Sequence, residues 1–398
     1  MAETLTLRDG RFLDPATGEV TQGDMRIEDG VISELGDLPA GSGADVGLGG
    51  ATVVPGLIDA HLHAYAHAIG GMALETRKLS YVAINATKRL GDSLRRGFTT
   101  VRDVAGGDLG LKQAIDAGIV TGPRYLFTGQ ALSQTGGHAD VREAGYDMCF
   151  SHGHIGEIVD GVDAVRRAVR ERFRSGAHCI KIMASGGVVS PTDPLKILQY
   201  SPEEIRAAAD EASRRRSYVA AHAYTGEAVV HAVSNGVLSV EHGNLIDEKA
   251  ARVMAEHGAY LVPTLAAYDA MNRRGAEVGL PEVGKAKNAE VLEAGRGAVE
   301  LAMKAGVKVG WGSDLMGDLE DDQLRGVALQ AEAQDPADLL RSLTTINAEL
   351  VGQPELATFE AGTPADLVAF SADPLSDPEV LWDESRPRTV VKAGRLVG

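Results

Sequence analysis

From Val53 onward the chain repeats one unit, a short apolar run rich in β-branched residues followed by a helix or a helix-length segment. The runs are "VVPGLIDAHLH", "TTVRDVAG", "RYLFTGQAL", "CIKIMASGG", "YVAAHAY", "LSVEHGN", "YLVPTL" and "VKVGWGSD". Between them lie stretches such as "VDAVRRAVRERFRSG", in which Val162, Val165, Val169 and Phe173 recur at helical spacing. Eight such β/α units over about 300 residues predict an α/β fold of the TIM-like (β/α)8 barrel type, whose catalytic groups gather at the C-terminal ends of the strands. The first residues read differently, with "TLTLRDGRFL" and "GDMRIEDGVISEL" broken by Asp-Gly turn signals. The tail returns to short strands in "ADLVAFSADP" and "PRTVVKAGRLVG". Residues 1–52 and 360–398 are therefore expected to combine as a small β-sandwich beside a barrel of residues 53–359. A chain of 398 residues, 44% of them apolar, has enough material for both cores.

Charge and cysteine content exclude several functions. The formal net charge of -17 provides no basic face for nucleic acid or an anionic membrane. Cys149 and Cys179 are the only cysteines, too few for a disulfide framework and not spaced as CxxC, which suits a reducing cytoplasm. "MAETLTLRDGRF" lacks the apolar centre of a signal peptide, and no run approaches the ~20 apolar residues of a membrane span. A small-molecule substrate and a cytoplasmic location are expected.

The histidines then take on meaning from their strands. Side chains alternate along a strand, so His61 and His63 of "DAHLH" share a face and both can grip one metal ion. A second HxH pair, His152 and His154 of "SHGHIGE", follows no strand and reads as an ordinary loop. Lys181 sits among Ile180, Ile182 and Met183 on a strand that a barrel would cover on its helical side. A buried ammonium is costly unless paired, deprotonated or modified; a neutral amine there can add carbon dioxide, giving an anionic carbamate able to bridge two metals. His222 and His242 fall near the ends of their strands, and Asp314 of "GWGSDLMG" follows the eighth, where it is either a helix cap or a ligand. Four histidines, a lysine and an aspartate on the strand ends of one barrel point to a metal site.

The set "GLIDAHLH", "CIKIMASGG", "AHAY", "EHGN" and "GSDL" resembles the amidohydrolase superfamily in its binuclear form, across nearly the whole chain. The longer stretches "TVRDVAGG", "LSQTGGHADVRE", "IKIMASGGVVSPTDP", "QYSPEEIRAAADEA", "AHAYTGEAVVHAVSNGV" and "SVEHGNLID" are similar to bacterial Xaa-Pro dipeptidases (prolidases) and to ochratoxin-type amidases and carboxypeptidases. The resemblance implies two divalent ions, zinc above all. It places His61 and His63 on the buried ion, His222 and His242 on the more exposed one, carboxylated Lys181 between them, and Asp314 on the first ion and the bridging hydroxide. No ligand position departs from that pattern.

The same resemblance implies that Asp314 moves the proton from the hydroxide to the departing amine. His138 of "TGGHAD" and Tyr224, two residues beyond His222, are placed to steady the tetrahedral oxyanion or to orient substrate. Arg142, four residues after His138, is the candidate for the substrate carboxylate, because a guanidinium makes bidentate contacts. His67, Asp103 and the "GDLEDD" run are read as structural or solvated. The expected activity is hydrolysis of a dipeptide or N-acyl amino acid by a homo-oligomeric enzyme. A cyclic amidase of the hydantoinase or dihydropyrimidinase kind is the alternative, and a barrel scaffold without chemistry is the non-enzymatic one. Lys181 argues against a mononuclear deaminase.

Overall fold

A computed structural model describes residues 4–39, 43–142, 153–190 and 193–398. Cys149 and His152 lie outside the described residues.

Eight parallel strands carry the repeated unit: β1 (Leu57–Leu62), β2 (Phe98–Asp103), β3 (Arg124–Phe127), β4 (Ile180–Met183), β5 (Val219–Thr225), β6 (Ser239–Leu245), β7 (Tyr260–Val262) and β8 (Lys308–Val309). The strands β1, β2 and β3 pair in order, and β4 to β8 pair in order within a seven-stranded sheet. Backbone bonds link these two sheets on both sides. His178 donates to the Phe127 carbonyl at 2.7 Å, while Ala60 donates to Trp311 O at 3.1 Å and Asp314 to His61 O at 2.8 Å. Together the strands are consistent with a TIM-like barrel.

Local chemistry explains the elements. The helix Pro202–Arg214 begins with Pro at its first turn and a reciprocal Ser201/Glu204 capping box, which satisfies backbone N–H groups that have no helical partner. The helix Val162–Arg174 buries Val165 and Val169 on the face anticipated from their spacing. The expected third strand is divided. Arg124–Phe127 pairs with β2, Gly129 takes φ 70°, and Ala131–Ser133 pairs with β4.

The run "VVPGLIDAHLH" is divided too. Thr52–Pro55 pairs with Thr4–Leu13 and Leu367–Phe370, and only after Gly56 does the chain enter β1. A Cβ on Gly56 would lie 1.8 Å from Thr99 Oγ1, so only glycine fits where the chain passes between sheets. The terminal segments form an eight-stranded sheet, and Leu5, Met25 and Ile32 share one buried apolar cluster with Leu367 and Val391 from the other end of its strand order. The sheet thus folds back on itself around its own core. Among the described residues no helix is long and apolar enough to cross a membrane.

Candidate metal centre and active site

Strand register delivers the anticipated residues to one place. Met183 pairs with His222 and Ala223 with His242, so the end of β4 and the C-terminal halves of β5 and β6 lie side by side. His61, His63, Lys181, His222, His242 and Asp314 all line one pocket, together with His138 and Tyr224. The ring centroids of His61 lie 5.0 Å from those of both His63 and His242, and His222 lies 4.6 Å from His242. His242 at φ 79° and Asp314 at φ 52° both occupy the left-handed region, a strained backbone held by its surroundings. Gly312 allows the close approach of the chain after β8, since a Cβ there would meet His61 Cβ at 2.5 Å.

Each of the four histidines commits one ring nitrogen to the protein. His61 Nδ1 donates to Glu241 Oε2 at 2.7 Å, and His63 Nδ1 to the Ala105 carbonyl at 3.3 Å. His222 Nε2 donates to the Gly186 carbonyl at 3.1 Å. His242 Nδ1 lies 2.8 Å from both Thr264 Oγ1 and Tyr268 OH. A neutral imidazole so bound carries its lone pair on the other nitrogen, which is how metal-binding histidines are oriented. Burial pushes His222 and His242 well below the usual histidine range, so both are neutral.

The freed atoms converge. His61 Nε2 and His63 Nε2 are 3.2 Å apart, and Asp314 Oδ1 lies 3.2 Å from the first and 3.0 Å from the second. Three acceptors at such distances repel unless a positive charge sits among them. Burial opposes a charge on His61, yet Asp314 raises its pKa above the ordinary range. The Asp314 carboxyl is held well below its own range, because the neighbouring histidines outweigh its burial. Atoms of His61, His242 and Asp314 lie within 4.8 Å of one another, a group that could hold a metal ion. Burial lowers Lys181 to about 8, so a substantial fraction of its amine is neutral near physiological pH.

Several partners of these groups were not evident in the linear sequence. Glu241 accepts from His61, from Arg102 Nη2 at 2.8 Å and from Ser239 Oγ at 2.5 Å, and Arg102 also donates to Ala60 O at 2.6 Å. Arg102 keeps Glu241 ionised against its burial. The available signal was a charged residue inside an apolar strand, in "TVRDV" and again in "SVEHG". Tyr268 donates to Tyr224 OH at 3.0 Å and so directs the Tyr224 proton away from itself. Asp193 pairs with His138.

The structural readings of Asp103 and of the acidic run agree with the contacts. Asp103 accepts from Tyr125 OH at 2.5 Å and from the Ala64 and Ala105 amides, while Gly317–Asp322 forms a 3-10 turn leading into the helix Gln323–Ala331. His154 stands apart from the pocket, with Nε2 donating to Arg77 O at 2.8 Å. Arg142 departs from expectation. Its guanidinium forks onto Asp140, at 2.7 and 2.6 Å, and it does not line the pocket. The bidentate capacity that suggested a substrate carboxylate is used on a carboxylate two residues away. Among the described residues no arginine lines the pocket, whose walls instead carry Ile69, Leu74, Met183, Val188, Met271 and Leu319.

Comparison with known proteins extends this picture. The chain is 31% identical to the ochratoxinase of Aspergillus niger over 366 residues, covering 86% of this chain and 75% of that protein. It superposes on a prolidase crystallised with N-methylphosphonate-L-proline at a TM-score of 0.94, with 43% identity and 99% of both chains covered. A Xaa-Pro dipeptidase with methionine in its active site matches at a TM-score of 0.88, with 29% identity and 99% of both chains covered. The model of the amidohydrolase family matches residues 52–397, and the chain belongs to that family.

Proposed function

We propose that this protein is a binuclear, metal-dependent hydrolase of amide bonds that cleaves dipeptides or N-acyl amino acids. The observation that carries the reading is the donor set: four histidines, each with one ring nitrogen bound by the protein, face one pocket with Lys181 and Asp314. His61 and His63 would hold one ion and His222 and His242 the other, with Lys181, carboxylated, between them and Asp314 on the first. A nitrogen and oxygen set without thiolate suits zinc. Divalent ions held by these residues would supply Lewis acidity, to acidify water and polarise a carbonyl.

The remaining work falls to side chains. Asp314 takes the proton from the attacking water on a carboxylate oxygen and delivers it to the leaving nitrogen. Tyr224, whose oxygen already accepts from Tyr268, is free to donate its own proton to the carbonyl oxygen as it turns tetrahedral. His138 is the second donor. The apolar walls hold the substrate side chain and exclude water around the reacting amide. The 43% identity to a prolidase supports a dipeptide as substrate. In domain terms we assign residues 1–52 and 360–398 to a small β-sandwich and 53–359 to the catalytic barrel, with the first boundary moved to Gly56 because the strand Thr52–Pro55 pairs within the terminal sheet.

The test is a panel of dipeptides and N-acyl amino acids offered to zinc-loaded protein, with release of the free amino acid measured. Hydrolysis of dipeptides, abolished by a chelator and restored by zinc, is the expected result. Failure to hydrolyse any member of the panel refutes the reading.

A further inference from the structure

We propose that Asp193 is the positioning residue for His138, fixing which ring nitrogen faces the pocket. His138 comes from the loop after Ala131–Ser133, and its ring lies parallel to that of His222, with centroids 4.2 Å apart at 18°. A loop residue has no strand to set its rotamer. The segment after β4 does this instead. Asp193, 3% exposed, accepts at Oδ2 from His138 Nδ1 at 3.2 Å, from the Gly187 amide at 3.0 Å and from Gln199 Nε2 at 3.3 Å. Gln199 Oε1 closes the loop by accepting from the His138 amide at 2.9 Å. With Nδ1–H committed to Asp193, the ring presents Nε2 to the substrate.

The backbone that carries this carboxylate is itself anchored. Lys287, on the helix Glu282–Lys304, donates from Nζ to the carbonyls of Gly187, Ser190 and Asp193 at 2.9, 2.8 and 2.7 Å. Three carbonyls of one loop are thereby tied to a helix that packs against β6. Gly187 completes the arrangement, since a Cβ there would fall 2.0 Å from His138 Cε1 and displace the ring. Gly186, beside it, holds His222. One short segment therefore orients both a proposed ligand and a proposed oxyanion donor, as buried polar partners do for catalytic groups generally.

The test has one arm independent of activity. Nitrogen-15 NMR of labelled histidine reports the protonated ring nitrogen, with the His138 signal assigned by its loss in His138→Asn. In the native protein Nδ1 is expected to carry the proton. Asp193→Ala should yield a mixture of tautomers, whereas Asp193→Asn, whose side-chain oxygen can replace Oδ2, should keep the native signal. Asp193→Ser, too short to reach His138, gives the same reading should the alanine variant not fold. The activity arm rests on the amide-hydrolase reading. There Asp193→Ala should lower kcat about 100-fold with little change in KM, as for loss of one oxyanion donor, and Asp193→Asn should recover most of it. In a His138→Asn background, Asp193→Ala should cost at most about twofold, because both changes remove the same interaction. An unaltered His138 signal in Asp193→Ala, or a full second loss in the double variant, overturns the proposal. A tautomer change in a protein that cleaves no amide would leave the positioning role standing and refute the proposed function.

Discussion

Glu241→Gln tests the pairing beneath the metal centre. In the native protein one carboxylate oxygen accepts from His61 Nδ1 at 2.7 Å, and the other from Arg102 at 2.8 Å and Ser239 at 2.5 Å, all in fully buried surroundings. Glutamine has the same shape but only one acceptor oxygen. If its NH2 turns to His61, two donors face each other and His61 moves its proton to Nε2, the nitrogen proposed to bind metal. If it turns to Arg102, donors face donors there instead, and in either orientation the guanidinium is buried without a counter-charge. Loss of one charge-assisted bond costs about 1.5–3 kcal/mol, and breaking one side of a buried ion pair about 3–5 kcal/mol, so destabilisation of about 3–5 kcal/mol is expected. Loss of the histidine's partner should also weaken metal binding about 10- to 100-fold. Urea unfolding of the apoprotein measures the first quantity, and competition with a chelator followed by elemental analysis measures the second. A variant within about 1 kcal/mol of native stability and twofold of native metal affinity would refute the reasoning, since both effects follow from the same pairing.

Other outcomes follow from the same geometry. Lys181→Ala should remove nearly all activity and lower metal content, with partial rescue by short carboxylic acids in the buffer; unchanged metal content would argue against a bridging role. Asp314→Asn should reduce kcat by several orders of magnitude with substrate affinity largely kept, because proton transfer belongs to the transition state, and a change confined to KM would contradict that role. Arg142→Met should leave kcat/KM for free dipeptides within a few fold, since the guanidinium is engaged by Asp140, whereas a hundredfold loss would return it to the substrate carboxylate. Glu211 accepts from Arg166 and Arg170, and side-chain bonding to Arg170 leads the shift of its carboxyl to about 2 from 4.5. A carboxyl lowered on folding stabilises fully above pH 4.5 and loses that contribution as pH falls towards 2. Because Arg166 and Arg170 are partly exposed, Glu211→Gln should cost about 1 kcal/mol at pH 7 and flatten the acid limb of the stability curve between pH 4.5 and 2, as followed by thermal melts.

Linear order was sufficient wherever a property is periodic or local. Alternation along "DAHLH" put His61 and His63 on one face, helical spacing put Val165 and Val169 in the core, and eight apolar runs set the barrel strands. The unusual residues at strand ends could be read because a barrel gathers those ends whatever its loops do. Where the chain leaves one sheet for another could not be read, since "VVPGLI" carries no polar residue on either side of the break and the division at Gly56 depends on Thr99 across the gap. Nor could pairing between side chains far apart in sequence. Arg142 was singled out for its chemistry, but only the fold shows that Asp140 already occupies it. Glu241 beneath His61 and Asp193 beside His138 are separated from their partners by 180 and 55 residues. Sequence patterning determined where the barrel strands fall and which polar residues lie in their C-terminal parts, because burial and alternation act over a few neighbours. Tertiary structure alone decided which nitrogen of each histidine is free and which charges are already paired, because those depend on hydrogen bonds across the barrel that leave no periodic trace in the chain.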